Sequence, residues 1–261
     1  MIMRRLATLL SIVLFCFGCA EIQYKLVDKL VHRDGNLPRY EFASGTRVGI
    51  INMVEERLTH DSFKVLSKEK TFKKKYDVDW KIPEIMEEYL RFLLQEEGRF
   101  EVVSLPALSS LQNYEITNLY AEQNLRKFRP EIDRLAEEKN LQVVVIAGNY
   151  LYLHPDNLFG ERGYGLRTSQ GYSDTLARVF GKAYAFTAIG VQVYHTNPLT
   201  YIGGGRPSLA HSVSLPWPND LHNIPKSDFD TIKPIIVADV QEIVMKALQK
   251  ANLVEEKSSK Q

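Results

Sequence analysis

The sequence predicts an α/β (α+β) fold: a mixed sheet of about five strands with flanking helices, in a single domain behind an amino-terminal signal. Three observations carry this. Val48-Gly49-Ile50-Ile51 and Val143-Val144-Val145-Ile146 are short apolar runs rich in β-branched residues, the pattern of strands covered on both faces. Between them, Ile85, Met86, Tyr89, Leu90, Leu93 and Leu94 recur at three- and four-residue steps, which is the period of a helix with one buried side. Residues 183–195 and 209–215 then carry the alternation of half-buried strands. Helices between the early strands imply crossover connections and parallel pairing, while the late strand pair implies an antiparallel flank.

In chain order, residues 19–45 read as a polar tether, with Asp34-Gly35-Asn36 and Pro38 as turn signals and a short helix at residues 24–31. Residues 46–254 form the domain. The first strand spans residues 46–53. Residues 55–75 are polar and lysine-rich (Lys64, Lys68, Lys70, Lys73, Lys74, Lys75), the composition of a solvated hairpin or loop or of a contact for an anionic lipid or partner. Pro83 suits the start of the next helix, with Glu84, Glu87 and Glu88 near its positive end and Gly98 as a left-handed stop. Trp80, just ahead of it, reads as a packed indole. Residues 100–105 give the second strand and 106–114 a loop. Residues 119–140 are helical, with a break expected at Pro130 and an apolar face from Ile132, Leu135 and Ala136. Residues 141–153 form the central strand.

Residues 154–175 are rich in glycine and polar residues and are expected to be a long loop, the kind either kept for function or left as a mobile linker with no partner. Within it, Glu161, Arg162, Tyr164 and Arg167 are the candidate partner-binding residues, because Arg and Tyr are enriched where interface energy concentrates. Strands at 183–195 and 209–215 follow, separated by Asn197-Pro198 and Gly203-Gly204-Gly205, which read as turn chemistry. The last helix is expected over residues 230–253 with Asp230 as its cap, before a polar tail at 255–261.

The first nineteen residues set the address. Arg4 and Arg5 precede an uncharged, mostly apolar run over residues 6–17, then Gly18 and Cys19. That is the plan of a secretory signal, and the run falls short of the roughly 20 residues that span a bilayer. The Cys after a small residue makes residues 1–18 resemble a bacterial lipoprotein signal peptide. Cys16 stands where that family usually has Leu, and Phe17 is bulky. The resemblance implies cleavage before Cys19, lipidation (palmitate included) of Cys19, and, with Ala20 rather than Asp next, a place on the periplasmic face of an outer membrane. Plain secretion and a retained membrane helix are the alternatives.

Composition narrows the chemistry. Cleavage would remove Arg4 and Arg5 and no acid, so the 33 basic residues lose two against 32 acidic ones. A balance near zero lacks the basic footprint of a nucleic-acid binder. The only cysteines are Cys16 and Cys19, so a lipidated mature chain has neither a disulfide nor a thiol nucleophile. The six histidines, at 32, 60, 154, 195, 211 and 222, are never three to five residues apart, so no metal site is expected; His195 and His211 could meet if their strands pair. Ser169 lacks the first glycine of a nucleophile elbow, and Gly163 to Gly165 and Gly203 to Gly205 lack the strand-to-helix context of a phosphate cradle. Asp77 and Asp79 share a face of an extended segment, where paired carboxylates with Trp80 flanking a sugar are one reading, and a helix-entry loop with solvated acids and a packed indole is the favoured one. No catalytic residue and no cofactor is assigned.

The order VGIIN, FEVV, VVVIAG, a hairpin and a closing amphipathic helix is similar to the α/β domain shared by the Tol–Pal β-propeller protein's amino-terminal domain and the curli-secretion-channel lipoproteins. The resemblance spans residues 46–253 and implies an assembly, secretion or scaffold role in the cell envelope rather than catalysis. It assigns no residue a role. The expectation is a lipid-anchored interaction module with a protein partner, able to form homo-oligomers; an exported hydrolase and a secretion-pore subunit are the alternatives.

Overall fold

The computed structural model describes residues 37–64, 70–96, 98–108, 116, 122–150, 163–170, 182–207, 211–213 and 224–255. These form a mixed α/β fold around one sheet. The chain runs β1 (Thr46–Asn52), β2 (Leu58–Lys64), β3 (Lys70–Tyr76), α1 (Ile82–Glu96), β4 (Phe100–Leu105), α2 (Glu122–Lys139) and β5 (Val143–Asn149). It continues through β6 (Gly163–Gln170), β7 (Lys182–Thr196), β8 (Leu199–Gly205), β9 (His211–Val213), α3 (Lys226–Asp230) and α4 (Lys233–Lys250). The fold class is as the sequence predicts, but the described strands number nine, in the order β3-β2-β6-β7-β5-β1-β4 with β8 and β9 also on β7.

The crossovers come out as expected. β1 pairs in parallel with both β4 and β5, so the chain steps outward through α1 and back across β1 through α2. Connections of one hand in opposite directions place the two helices on opposite faces. Val48 and Ile50 accordingly pack with Met86, Leu90 and Leu94 of α1. Ile51, Val144 and Ile146 pack with Phe128, Ile132 and Leu135 of α2. Covered on both sides, β5 is buried at every position from Val143 to Gly148.

β7 organises the rest. Its carboxyl half pairs with β5 and β8, and its amino half with β6 and β9, so one 15-residue strand joins two wings of the sheet. In one wing lie β4, β1, β5 and β8; in the other, β3, β2, β6 and β9. The polar stretch after β1, expected as a hairpin or loop, is the β2–β3 hairpin, and β2 continues into parallel pairing with β6.

Several local expectations are corrected. The middle of the proposed long loop is a strand: β6 pairs with β2 and β7, and residues 154–162 and 171–175 lie outside the described residues. Gly203 to Gly205 belong to β8, not to a turn, which forms instead at the cis Asn197–Pro198 peptide. Gly203 and Gly205 are there because α4 and its C-cap cross β8 closely: a Cβ on Gly205 would stand 1.8 Å from the carbonyl oxygen of Ile243 and one on Gly203 2.6 Å from the main-chain nitrogen of Ala251. The late strand at 209–215 is described only as β9. α2 runs unbroken through Pro130, which sits on its exposed side, where solvent can make up for a missing main-chain bond.

The last helix is two helices. Asp230 ends the short α3, and Ile232 occupies the N-cap of α4, with Pro234 in its first turn. Gly98 does end α1 in a left-handed conformation, at φ 64°. The start of α1 is set from a distance: Lys81 turns at φ 57°, and the Glu56 carboxylate accepts the main-chain N–H groups of Trp80, Lys81 and Ile82 at 2.8–2.9 Å. A carboxylate there also complements the helix dipole.

Candidate functional site

The candidate binding residues part company in the fold. Tyr164 and Arg167 both stand in β6, where they are 0% and 1% exposed. Three positions apart on a strand, they point to opposite faces. Tyr164 lies over Trp80, ring centroids 6.0 Å apart, beside the α1 entrance. They are therefore interior residues and not a free binding surface; strand pairing with β2 and β7 encloses them. Glu161 and Arg162 lie outside the described residues, as does Cys19.

β6 matters for a different reason. Of the ten buried polar or charged residues among the described ones, six are in β2 and β6: Thr59, His60, Asp61, Ser62, Arg167 and Thr168. Register explains the grouping. Asp61 pairs with Lys73 on one side and Arg167 on the other, and Arg167 pairs with Tyr184 of β7. Cross-strand partners share a face, so Lys73, Asp61, Arg167 and Tyr184 form a row across four strands. Lys73 Nζ lies 3.9 Å from the Asp61 carboxylate. Alternation sends His60, Ser62 and Thr168 to the other face, where the His60 ring shares a 2.9 Å hydrogen bond with Thr168 Oγ1 and meets Phe229 edge-on.

Chemically, a carboxylate set between a lysine and an arginine is a fixed counter-charge, a poor design for a general base. His60 and Ser62 share a face, yet both are 0% exposed. What this seam does well is specify register: a slip by one residue would carry Asp61 to the side of Phe229 and leave charge without its counter-charge. The sequence offered no such reading of LTHDSFK, because alternation in which both faces are polar looks the same as a loop.

Other expected features fall into structural places. Trp80 is a packed indole, 2% exposed, and its Nε1 donates to Asp230 at 2.9 Å. His195 and His211 do not meet: His195 pairs with Thr200 and Val143, His211 with Ala185, ten residues away along β7. His195 instead stacks on Tyr40, centroids 4.3 Å apart and planes 11° from parallel. Tyr40 and Phe42 pack against the core, so the last part of the expected tether belongs to the domain. Asn252 Nδ2 donates to the Tyr40 carbonyl and Gly45 N–H to that of Arg99.

Two features face outward. Phe92 of α1 is a large apolar residue 51% exposed, beside Tyr89. At the sheet edge, β3 reads Lys-Thr-Phe-Lys-Lys-Lys-Tyr, with Lys73, Lys74 and Lys75 exposed. Among the described residues no helix is long and apolar enough to cross a membrane, and no three His, Cys, Asp or Glu groups stand together as a metal site.

No family model and no curated protein matches the chain. Among solved structures, the chain is similar to the crystal structure of protein XCC0632 from Xanthomonas campestris, family DUF330. The TM-score is 0.31 at 6% identity, over 84% of this chain and 88% of that one.

Proposed function

We propose that the protein is a lipid-anchored interaction module of the cell envelope, held at Cys19 on the periplasmic face of an outer membrane and serving assembly rather than catalysis. The observation that carries this is the run Arg4, Arg5, apolar residues 6–17, Gly18 and Cys19, joined to a domain that takes up the chain again at Tyr40. Roughly twenty residues separate the two, so covalent geometry caps the tether's reach at about 70 Å. That is ample for a domain whose seven-strand sheet path is about 30 Å wide at ~4.8 Å per strand spacing.

A binding role also suits the interior. The buried polar groups are spent on register, and the pairing surfaces left at the ends of the sheet path are the edges of β3 and β4. The experiment is Cys19→Ser followed by cell fractionation. Loss of membrane association and of lipid labelling is expected. Retention of both would place the anchor elsewhere and remove the basis of the proposal.

A further inference from the structure

We propose that the acidic, phenylalanine-bearing face of α1 is a dock for the chain's own residues 22–33, which fold back on it as a basic amphipathic helix and shorten the tether. This deepens the tether of the reading above but uses no lipid at Cys19. Four of the fifteen residues of α1 are glutamate, and its one cation, Arg91, pairs with Glu87. Glu84, Glu88 and Glu96 are exposed and form no ion pair among the described residues. Four-residue steps put Glu84, Glu88, Phe92 and Glu96 on one ridge of the helix, with Ile85 and Tyr89 on the ridge beside it. Phe92 is the large apolar side chain left 51% exposed, and Tyr89 stacks on it at 6.4 Å. Glu96 also closes α1 at its negative end, with no basic residue in the last turn, so this end favours an added cation.

Charge, length and entry point name the occupant. Lys25, Lys29 and Arg33 recur at four-residue steps, and Ile22, Leu26 and Leu30 do so on the adjoining ridge. Residues 22–33 lie outside the described residues, and their chemistry is read from the sequence. Cations against free glutamates, and an apolar ridge against Phe92, make the two faces complementary. The lengths agree: Glu84 to Glu96 spans about 18 Å and a helix over residues 22–33 about 17 Å, at the 1.5 Å rise of a helix. The chain enters the domain beside the foot of α1. Phe42 meets Phe100, four residues past Glu96, and the Gly45 N–H donates to the Arg99 carbonyl. Asp34-Gly35-Asn36 carries the turn signals for a reversal, and the seven residues from Arg33 to Tyr40 reach up to about 24 Å. A second α1 would meet this face with like charge, and an anionic bilayer would be repelled by it, so neither fits. Residues 22–33 could themselves lie on a bilayer instead, and the test separates the two places.

The protein as purified from cells, in neutral detergent, is treated with a protease that cuts after Tyr24, Leu26 and Leu30. Cleavage within residues 22–33 is timed by mass spectrometry, relative to a synthetic peptide of the same sequence. K25E/K29E, E88K/E96K and F92S are each expected to speed it by about tenfold, as a local opening made easier. The charge swap K25E/K29E/E88K/E96K should restore slow cleavage. Glu88 and Glu96 are exposed and E96K complements the helix dipole, so the melting temperature should hold; E88Q/E96Q, which reverses no charge, should open the segment in a chain that folds as before. Equal cleavage in every variant overturns the proposal, as does a charge swap that opens as far as its two parents combined. So does protection that appears only on phosphatidylglycerol vesicles and survives E88K/E96K, which would give the segment to the bilayer. Protection lost on dilution overturns it as well, by assigning the contact to a second copy. Cleavage is read at the same sites whether or not Cys19 carries a lipid, so failure here is distinct from failure of the anchor.

Discussion

Tyr40 lies flat on His195, and through that contact the chain leading into the domain is fastened to the far end of β7. Phe42 meets Phe100 next to it at 6.2 Å, and Asn252, just beyond α4, donates to the Tyr40 carbonyl. The strap thus touches β4, β7 and the end of α4 at once. Replacing Tyr40 by Ala removes the stack and the packing but leaves every strand pair in place. The expected outcome is faster proteolysis within residues 37–44, by about tenfold, for a local opening free energy lowered by about 1.4 kcal/mol. A global melting temperature that falls together with the strap would mean the strap is part of the cooperative core instead.

Val145 tests the centre of the sheet. It is 0% exposed and paired with Ile50 on one side and Val193 on the other. Val145→Ala removes two methyl groups from a site closed on both faces, with little room to collapse. A loss of about 1–3 kcal/mol is expected from urea denaturation. A change within about 0.5 kcal/mol would be the behaviour of a surface position and would contradict the burial.

These two residues also mark what could be read from the sequence and what could not. Val145 lies in an unbroken β-branched run, and such a run has one economical explanation, burial on both faces. The α1 stripe and the Gly98 stop were legible for the same reason: one pattern, one structure. β2, β3 and β6 were not, because polar side chains stand on both of their faces, among the core residues Leu58, Tyr164 and Leu166 as well, and alternation needs contrast to be seen. Asp61 looks like a surface acid until pairing sets it between Lys73 and Arg167. β8 was hidden by its glycines, which signal a turn in isolation and a close helix crossing in context. Asp230 had the chemistry of a cap, but the indole of Trp80, 150 residues earlier in the chain, is what holds it. The candidate site is the least legible of all: Tyr164 and Arg167 are candidates by residue type alone, and their burial is decided by partners distant in sequence.

The β8 glycines give the sharpest steric test. A Cβ at Gly205 would sit 1.8 Å from the Ile243 carbonyl oxygen, a main-chain atom of α4 that no rotamer change can move. Gly205→Ala must therefore push α4 off the sheet, against the packing of Ile243, Val244 and Ala247. A destabilisation of more than about 3 kcal/mol, or failure to fold, is expected. Gly45→Ala makes the matching control for backbone strain: Gly45 has φ 84° but nothing within 4 Å of its Cβ position. It should cost only about 1 kcal/mol. Equal effects of the two substitutions, read from denaturant midpoints, would show that backbone conformation rather than the helix crossing governs both.

Tyr164 carries a pH dependence whose direction can be worked out. Burial is the main cause that drives its phenol above the ordinary value of 10.0, and the carboxylates of Glu56 and then Glu84 push the same way. The unfolded chain releases this proton near pH 10, whereas the folded chain holds it. Below pH 10 both states are protonated, and the group's contribution is fully present. Above it the unfolded state binds fewer protons than the folded one, so stability falls as pH rises, by at most about 1.4 kcal/mol per pH unit for one group. Phe at this position keeps the ring against Trp80 and has no proton to lose. Tyr164→Phe should therefore track the parent protein in denaturant midpoint from pH 7 to about pH 9.5 and then fall less steeply than it does. The other tyrosines and the lysines contribute equally to both proteins and drop out of the difference. Parallel curves up to about pH 11 would mean that the phenol ionises as readily in the folded chain as in the unfolded one, and so that β6 does not enclose it.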